Sequence, residues 1–139
     1  MKKLILLLVV IPFLSFQSQT KSVDIIGKWK GVDESKNLGY IIFEEGGYAS
    51  LIIDGEVMGG KEFEKDGNKG SMTYEANFDT SPVHIDLIIT VVNTKVAKKA
   101  LGIAMFEDQN HMRFAIGFDG KRPTEFTDKN SVHLVRVKE

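Results

Sequence analysis

From Ile25 onward, apolar residues recur at every second position far more often than at every third or fourth, and small clusters of Gly, Asp and Asn interrupt them. Period two is the spacing of one face of a β-strand. The pattern predicts strands over 25–32, 38–45, 48–54, 56–64, 69–78, 82–93, 100–107, 111–118 and 131–138. The links between them carry turn chemistry: Gly46-Gly47, Asp54-Gly55, Lys65-Asp66-Gly67-Asn68 and Glu107-Asp108-Gln109-Asn110. Asp54-Gly55 is the strongest hairpin signal, because a type I′ turn needs positive φ at both central residues. Short links make neighbouring strands antiparallel. A meander of this length left open would expose two unprotected edges, so a single antiparallel up-and-down β-barrel of about eight to nine strands is expected.

The faces of the wall follow from the same alternation. In the strand over 82–93, Val83, Ile85, Leu87, Ile89 and Val91 point one way, and His84, Asp86, Ile88, Thr90 and Val92 the other. The first set is wholly apolar and is expected inside. Met112, Phe114, Ile116 and Phe118 share a face, as do Leu101, Ile103 and Met105, and the lumen follows from these faces if they line the interior. The resulting lumen is apolar, with no row of charges to suggest an aqueous channel. Two states remain open for it: a core filled by its own side chains, or an apolar ligand cavity.

The two ends of the chain also belong together. Ile25-Ile26-Gly27-Lys28-Trp29-Lys30-Gly31 opens the first strand and Val132-His133-Leu134-Val135-Arg136-Val137 forms the last. Closure sets first and last strands side by side and would lay Arg136 over the Trp29 indole. Such a pair contributes roughly 1–2 kcal/mol, enough to plug a barrel end. Trp29 and Arg136 are therefore structural candidates.

Residues 1–19 fall outside this pattern. Met1-Lys2-Lys3, the apolar run from Leu4 to Phe16 and then Ser18-Gln19-Thr20 have the three regions of a secretory signal peptide. The run is shorter than the roughly 20 residues a spanning helix needs. The expectation is an exported, periplasmic or secreted protein whose domain occupies 20–139, with no transmembrane segment after cleavage. The chain has no cysteine, so it has no lipid anchor through an N-terminal Cys and no disulfide. About 120 residues suffice for one core and one domain. Loss of Lys2 and Lys3 takes the basic count from 18 to 16 against 19 acidic residues, a net charge near −3. That balance excludes a nucleic-acid partner, which asks for a basic face. The one positive concentration is Lys95, Lys98 and Lys99, read as a solvated loop.

Candidate chemistry is sparse. Gly-x-Ser-x-Gly and phosphate-cradling loops are absent, so no catalytic residue is assigned and no cofactor is expected. His84 and Asp86 share a face two residues apart, but two ligands make no metal site, and a third from His111 or His133 would have to come from another strand. The segment Asp119 to Asn130 is long for a hairpin link, and long ordered loops are often functional. Within it Pro123 restrains Arg122, which reads either as an ion pair pinning the loop, with Asp86 as partner, or as a ligand clamp. His84, Asp86, Arg122 and Glu125 are thus the candidate ligand-binding residues.

Several of these segments occur together in one family. Gly27-Lys28-Trp29, Pro82-Val83-His84-Ile85-Asp86-Leu87, Gly102-Ile103, Gly120-Lys121-Arg122-Pro123-Thr124-Glu125-Phe126 and Arg136 resemble, in order and spacing, exported bacterial lipocalin-like domains of uncharacterised function. The chain departs from that pattern at Ala104, where the family tends to have Tyr, and lacks a Cys before the Arg-Pro segment. The resemblance implies a lipocalin-like barrel and export, and brings no activity. The functional expectation is non-catalytic binding of a small apolar or amphipathic molecule within the barrel. The alternative is a filled scaffold that meets a cell-envelope protein through its outer face.

Overall fold

The computed structural model describes residues 23–33, 38–117 and 119–138. The signal-peptide reading of 1–19 and the placing of Phe118 lie outside them. Among the described residues there are strands and turns and no helix, so no helix long and apolar enough to cross a membrane is present.

The strands are β1 (Gly27–Gly31), β2 (Leu38–Phe43), β3 (Ala49–Ile53), β4 (Glu56–Gly59), β5 (Phe63–Lys65), β6 (Asn68–Asn77), β7 (Val83–Val91), β8 (Ala97–Asp108), β9 (His111–Gly117) and β10 (Ser131–Arg136). They form one antiparallel sheet in the order β4-β3-β2-β1-β10-β9-β8-β7-β6-β5. Every neighbour is a chain neighbour except β1 and β10, which pair through Trp29↔Arg136, Lys30↔Val135 and Gly31↔Leu134. The sheet is an up-and-down barrel of lipocalin-like architecture.

Ten strands arise where nine were expected because the run 56–64 is broken in the middle. Gly59 and Gly60 both take positive φ, at 115° and 79°, so the chain turns a corner there and leaves β3 to join β6. A side chain at Gly59 has no room: its Cβ would sit 2.4 Å from the Ala49 carbonyl oxygen. This corner closes the barrel. Gly60 donates to Ala49 O (2.7 Å) and accepts from Met72 N (2.9 Å), Tyr74 N donates to Gly47 O (3.0 Å), and Tyr48 bridges to Thr73. The β3–β4 turn is as expected, with Asp54 at φ 51° and Gly55 at 81°.

Directly paired residues share a face, so one inward residue fixes its partners around the wall. Ile85 and Leu87 are inward and buried, with Val83 and Ile89 packed beside them. Their partners on β8 are Ala104 (to Val83), Gly102 (to Ile85) and Ala100 (to Leu87), and the next ring is Phe114 and Ile116 on β9. The interior face of β8 is therefore Ala100, Gly102, Ala104 and Phe106, so the condition that Leu101, Ile103 and Met105 line the interior is not met, and that set faces outward. The reason is volume. Phe114 lies so close to Gly102 that a Cβ there would meet its ring at 3.0 Å and the Ile85 carbonyl oxygen at 2.4 Å. Beside Phe114 only small residues of β8 fit inside, and Phe106 turns inward only further along the strand, against Trp29; on the outer face Met105 is exposed and Ile103 is buried.

One end of the barrel is densely filled. Trp29, Phe43, Met72, Ile85 and Met112 are fully buried there, with Phe106 edge-on to Trp29 at 6.1 Å between ring centres. The Trp29 Nε1–H donates to Ile25 O (2.9 Å) and the Arg136 guanidinium lies 4.3 Å above the indole. Arg136 also donates to the carbonyls of Ile26 (2.8 Å), Gln109 (3.1 Å) and Asp24. Each large side chain buried at this end contributes about 1.5–3 kcal/mol, and Arg136 ties three chain segments across it.

Candidate functional site

The opposite end is not filled. A cavity of about 400 Å³ is walled by Leu38, Ile41, Leu51, Ile53, Leu87, Phe114, Ile116 and Val132, with Lys129, Asn130 and Ser131 at its border. The β2–β3 hairpin supplies four of these walls through the pairs Ile41↔Leu51 and Leu38↔Ile53. The β9–β10 pair supplies Phe114 opposite Val132. Small residues on β8 add no bulk to the lumen, and the large ones on β2, β3 and β9 stand at its rim.

Of the border residues, Lys129 and Asn130 end the segment joining β9 to β10 and Ser131 opens β10. Its last turn is held by its own polar groups: Thr127 N donates to Asn130 Oδ1 (2.8 Å), Asn130 N to Thr127 Oγ1 (3.2 Å), and Asn130 Nδ2 to Glu125 O (2.9 Å). Ser131 Oγ donates to Thr127 O and accepts from Arg113 Nε (3.2 Å). The amide and hydroxyl at the border are thus engaged within the loop, and the surface offered to the cavity is chiefly hydrocarbon.

The first part of the same segment straps the outside of the barrel. Arg122 Nη1 and Nη2 donate to Asp86 Oδ1 (2.6 Å) and Oδ2 (3.0 Å), and Nη1 also donates to Gly102 O (2.8 Å). Gly102 N donates back to Asp86 Oδ1 (3.3 Å). The two side chains are 25% and 15% exposed, so the pair is largely shielded from water. Burial pushes the Asp86 carboxyl up, but the hydrogen bonds from Arg122 and Gly102 and the guanidinium charge outweigh it, and the group is held below its usual range. Hydrogen bonding to Asp86 raises Arg122 in turn. Beneath the strap Ile103 and Ala115, a cross-strand pair on the outer face, are buried. Phe126 stacks under the Arg113 guanidinium at 5.5 Å.

The candidate residues are therefore placed as follows. His84, Asp86 and Arg122 come together on the outer wall, where with Glu75, Ala76 and Asn77 they line a shallow polar depression. Asp86 lies on the strand face opposite Ile85 and Leu87, so the barrel wall separates this group from the lumen cavity. Glu125 is exposed and lines neither place; its backbone carbonyl accepts from Asn130. Among the described residues no group of three or more His, Asp or Glu gathers at metal-binding range. The cavity walls on β2 and β3 were not among the candidate residues. Their signal was the Gly46-Gly47 link between β2 and β3, which sets Leu51 and Ile53 on one face beside Ile41 and Leu38.

No protein-family model, curated protein or solved structure matches this chain.

Proposed function

We propose that this chain is an exported lipocalin-like protein that holds a small apolar or amphipathic molecule in its barrel without transforming it. The observation that carries the reading is the cavity of about 400 Å³ walled by eight apolar side chains. It falls in the range of ligand pockets, roughly 300–1,000 Å³. Burial against such walls contributes about 25 cal/mol per Å² of apolar ligand surface. Asp86 has both oxygens accepting from Arg122 on the outer wall and is not set out as a base toward the cavity. Export rests on the leader pattern of residues 1–19, and the family on the resemblance of the Gly-x-Trp, His-Ile-Asp and Arg-Pro-Thr-Glu-Phe segments. The rival reading, a filled scaffold for an envelope protein, needs a lumen without this space.

Native mass spectrometry of the protein purified without detergent, followed by solvent extraction, tests the proposal. A stoichiometric apolar adduct is expected, and it names the ligand class. A bare protein that takes up no apolar probe after extraction would contradict it.

A further inference from the structure

The turn between β7 and β8 lies at the same end of the barrel as the cavity, since β7 runs from Val83 toward that end and β8 returns from it. Its tip departs from the rest of the surface in three ways. Val92 and Val96 are 51% and 52% exposed, two bare apolar side chains on one five-residue turn. Lys95, Lys98 and Lys99 are exposed, and from Leu87 to Phe106 the chain carries no acidic residue, although the chain as a whole is acidic. Finally, Lys95 takes φ 53°, a left-handed conformation in which Gly or Asn is ordinary. The other two non-Gly residues with positive φ, Asp54 and Asp66, each precede Gly in a hairpin turn. Lys95 is thus the one long side chain held at such a site among the described residues.

Backbone hydrogen bonds, within the turn and to β6, hold the tip. Val91 N donates to Val96 O (3.0 Å), Lys95 N to Val91 O (2.9 Å) and Val92 N to Lys69 O (2.9 Å). Val96 N donates to Thr94 Oγ1 (3.4 Å). Val92, Lys95 and Val96 are therefore presented together on the turn, with Lys98 and Lys99 exposed on the two faces of the adjoining start of β8.

We propose that this hairpin tip docks on an anionic lipid bilayer. Lysines near such a surface gain from its negative potential, and apolar side chains beside them gain by entering the headgroup boundary. The charge complementarity fits any polyanion, and the two valines on the same turn favour a bilayer, whose headgroup boundary admits apolar side chains beside cations. Docking in this pose turns the cavity end toward the bilayer. The inference stands on the hairpin alone and does not depend on what the cavity holds.

Co-sedimentation with phosphatidylcholine vesicles, with and without about one third phosphatidylglycerol, tests it. Partition onto the anionic vesicles is expected to exceed that onto neutral ones and to fall as salt is raised from about 0.05 to 0.5 M. Lys95→Gln, Lys98→Gln and Lys99→Gln together should weaken it about a hundredfold, about fivefold for each lysine. Val92→Ser with Val96→Ser, which leaves the charge unchanged, should weaken it several-fold. These positions are exposed, and an unchanged melting temperature confirms folding of each variant. Equal partition onto both vesicle types, or full binding by the triple Lys variant, would overturn the proposal. Binding that survives the double Val variant unchanged would also overturn it, in favour of a plain polyanion site.

Discussion

Replacing Arg122 by alanine removes three hydrogen bonds at once, two to the Asp86 carboxylate at 2.6 and 3.0 Å and one to Gly102 O at 2.8 Å. A hydrogen bond to a charged group contributes about 1.5–3 kcal/mol when shielded. The pair is partly exposed, and holding a long Arg side chain in one geometry costs entropy, so the three bonds do not sum at face value. Against that discount, Asp86, which is 15% exposed with Arg122 in place, keeps only the Gly102 N–H at 3.3 Å, and the strap loses its anchor on the outer wall. A net loss of about 2–3 kcal/mol is expected, which lowers Tm by about 8–12 °C for a domain of this size. The assay is thermal unfolding followed by circular dichroism, with Asp86→Asn and the double variant completing a cycle. The two single effects should be strongly non-additive. The pH dependence carries the sign. Asp86 is depressed in the folded state, so its contribution is fully present above the unfolded carboxylate value near pH 4 and is lost as pH falls through the lower folded value. The gap in Tm between wild type and Arg122→Ala should therefore narrow as the solution is acidified below about pH 4. An unchanged Tm at neutral pH, or additive single effects, would refute the pinning role.

Three further outcomes follow from the wall itself. Arg136→Ala removes the cation over Trp29 and the bonds to the Asp24, Ile26 and Gln109 carbonyls, and should lower stability by about 2–4 kcal/mol in denaturant unfolding, with Arg136→Lys recovering only part. Gly102→Ala would set a Cβ 2.4 Å from Ile85 O and should cost about 1–3 kcal/mol, whereas Leu101→Ala on the opposite face should cost less. Equal losses at 101 and 102 would mean that the faces of β8 are reversed. Gly59→Ala meets both a positive φ and the Ala49 carbonyl oxygen, so it should loosen the closure and speed hydrogen exchange at Gly60 and Met72.

How far the fold is legible in the residues depends on the kind of signal each element carries. Strand β7 is plain because its inner face is uniformly apolar, and the Asp54-Gly55 turn because two positive φ values leave few residues to choose from. The orientation of β8 misleads when its own side chains are weighed alone. Leu101, Ile103 and Met105 are larger than Ala100, Gly102 and Ala104, yet space inside is set by Phe114 on the next strand. Reading β8 through its partners would have recovered it, since Ile85 and Ile116 both pair with Gly102. The corner at Gly59-Gly60 was hidden inside an otherwise continuous apolar run, because where a sheet meets itself is a property of the whole barrel. The strap was marked by its length, and Arg122 and Asp86 by their chemistry. Their place on the outer wall follows from strand register, and the cavity from the sum of side-chain volumes around a closed ring. Neither is local to any motif.

The central claim is that the lumen cavity itself takes an apolar ligand. Titration of detergent-free protein with an environment-sensitive apolar fluorophore tests it most directly when wild type is compared with Ile53→Trp and Ile116→Trp, which fill the cavity from two walls, and with Arg122→Ala on the outer wall. The account expects saturable one-to-one binding to wild type, loss of about tenfold or more in both Trp variants, and nearly unchanged affinity in folded Arg122→Ala. Absence of saturable binding to wild type, or binding that the Trp variants leave intact, would contradict it.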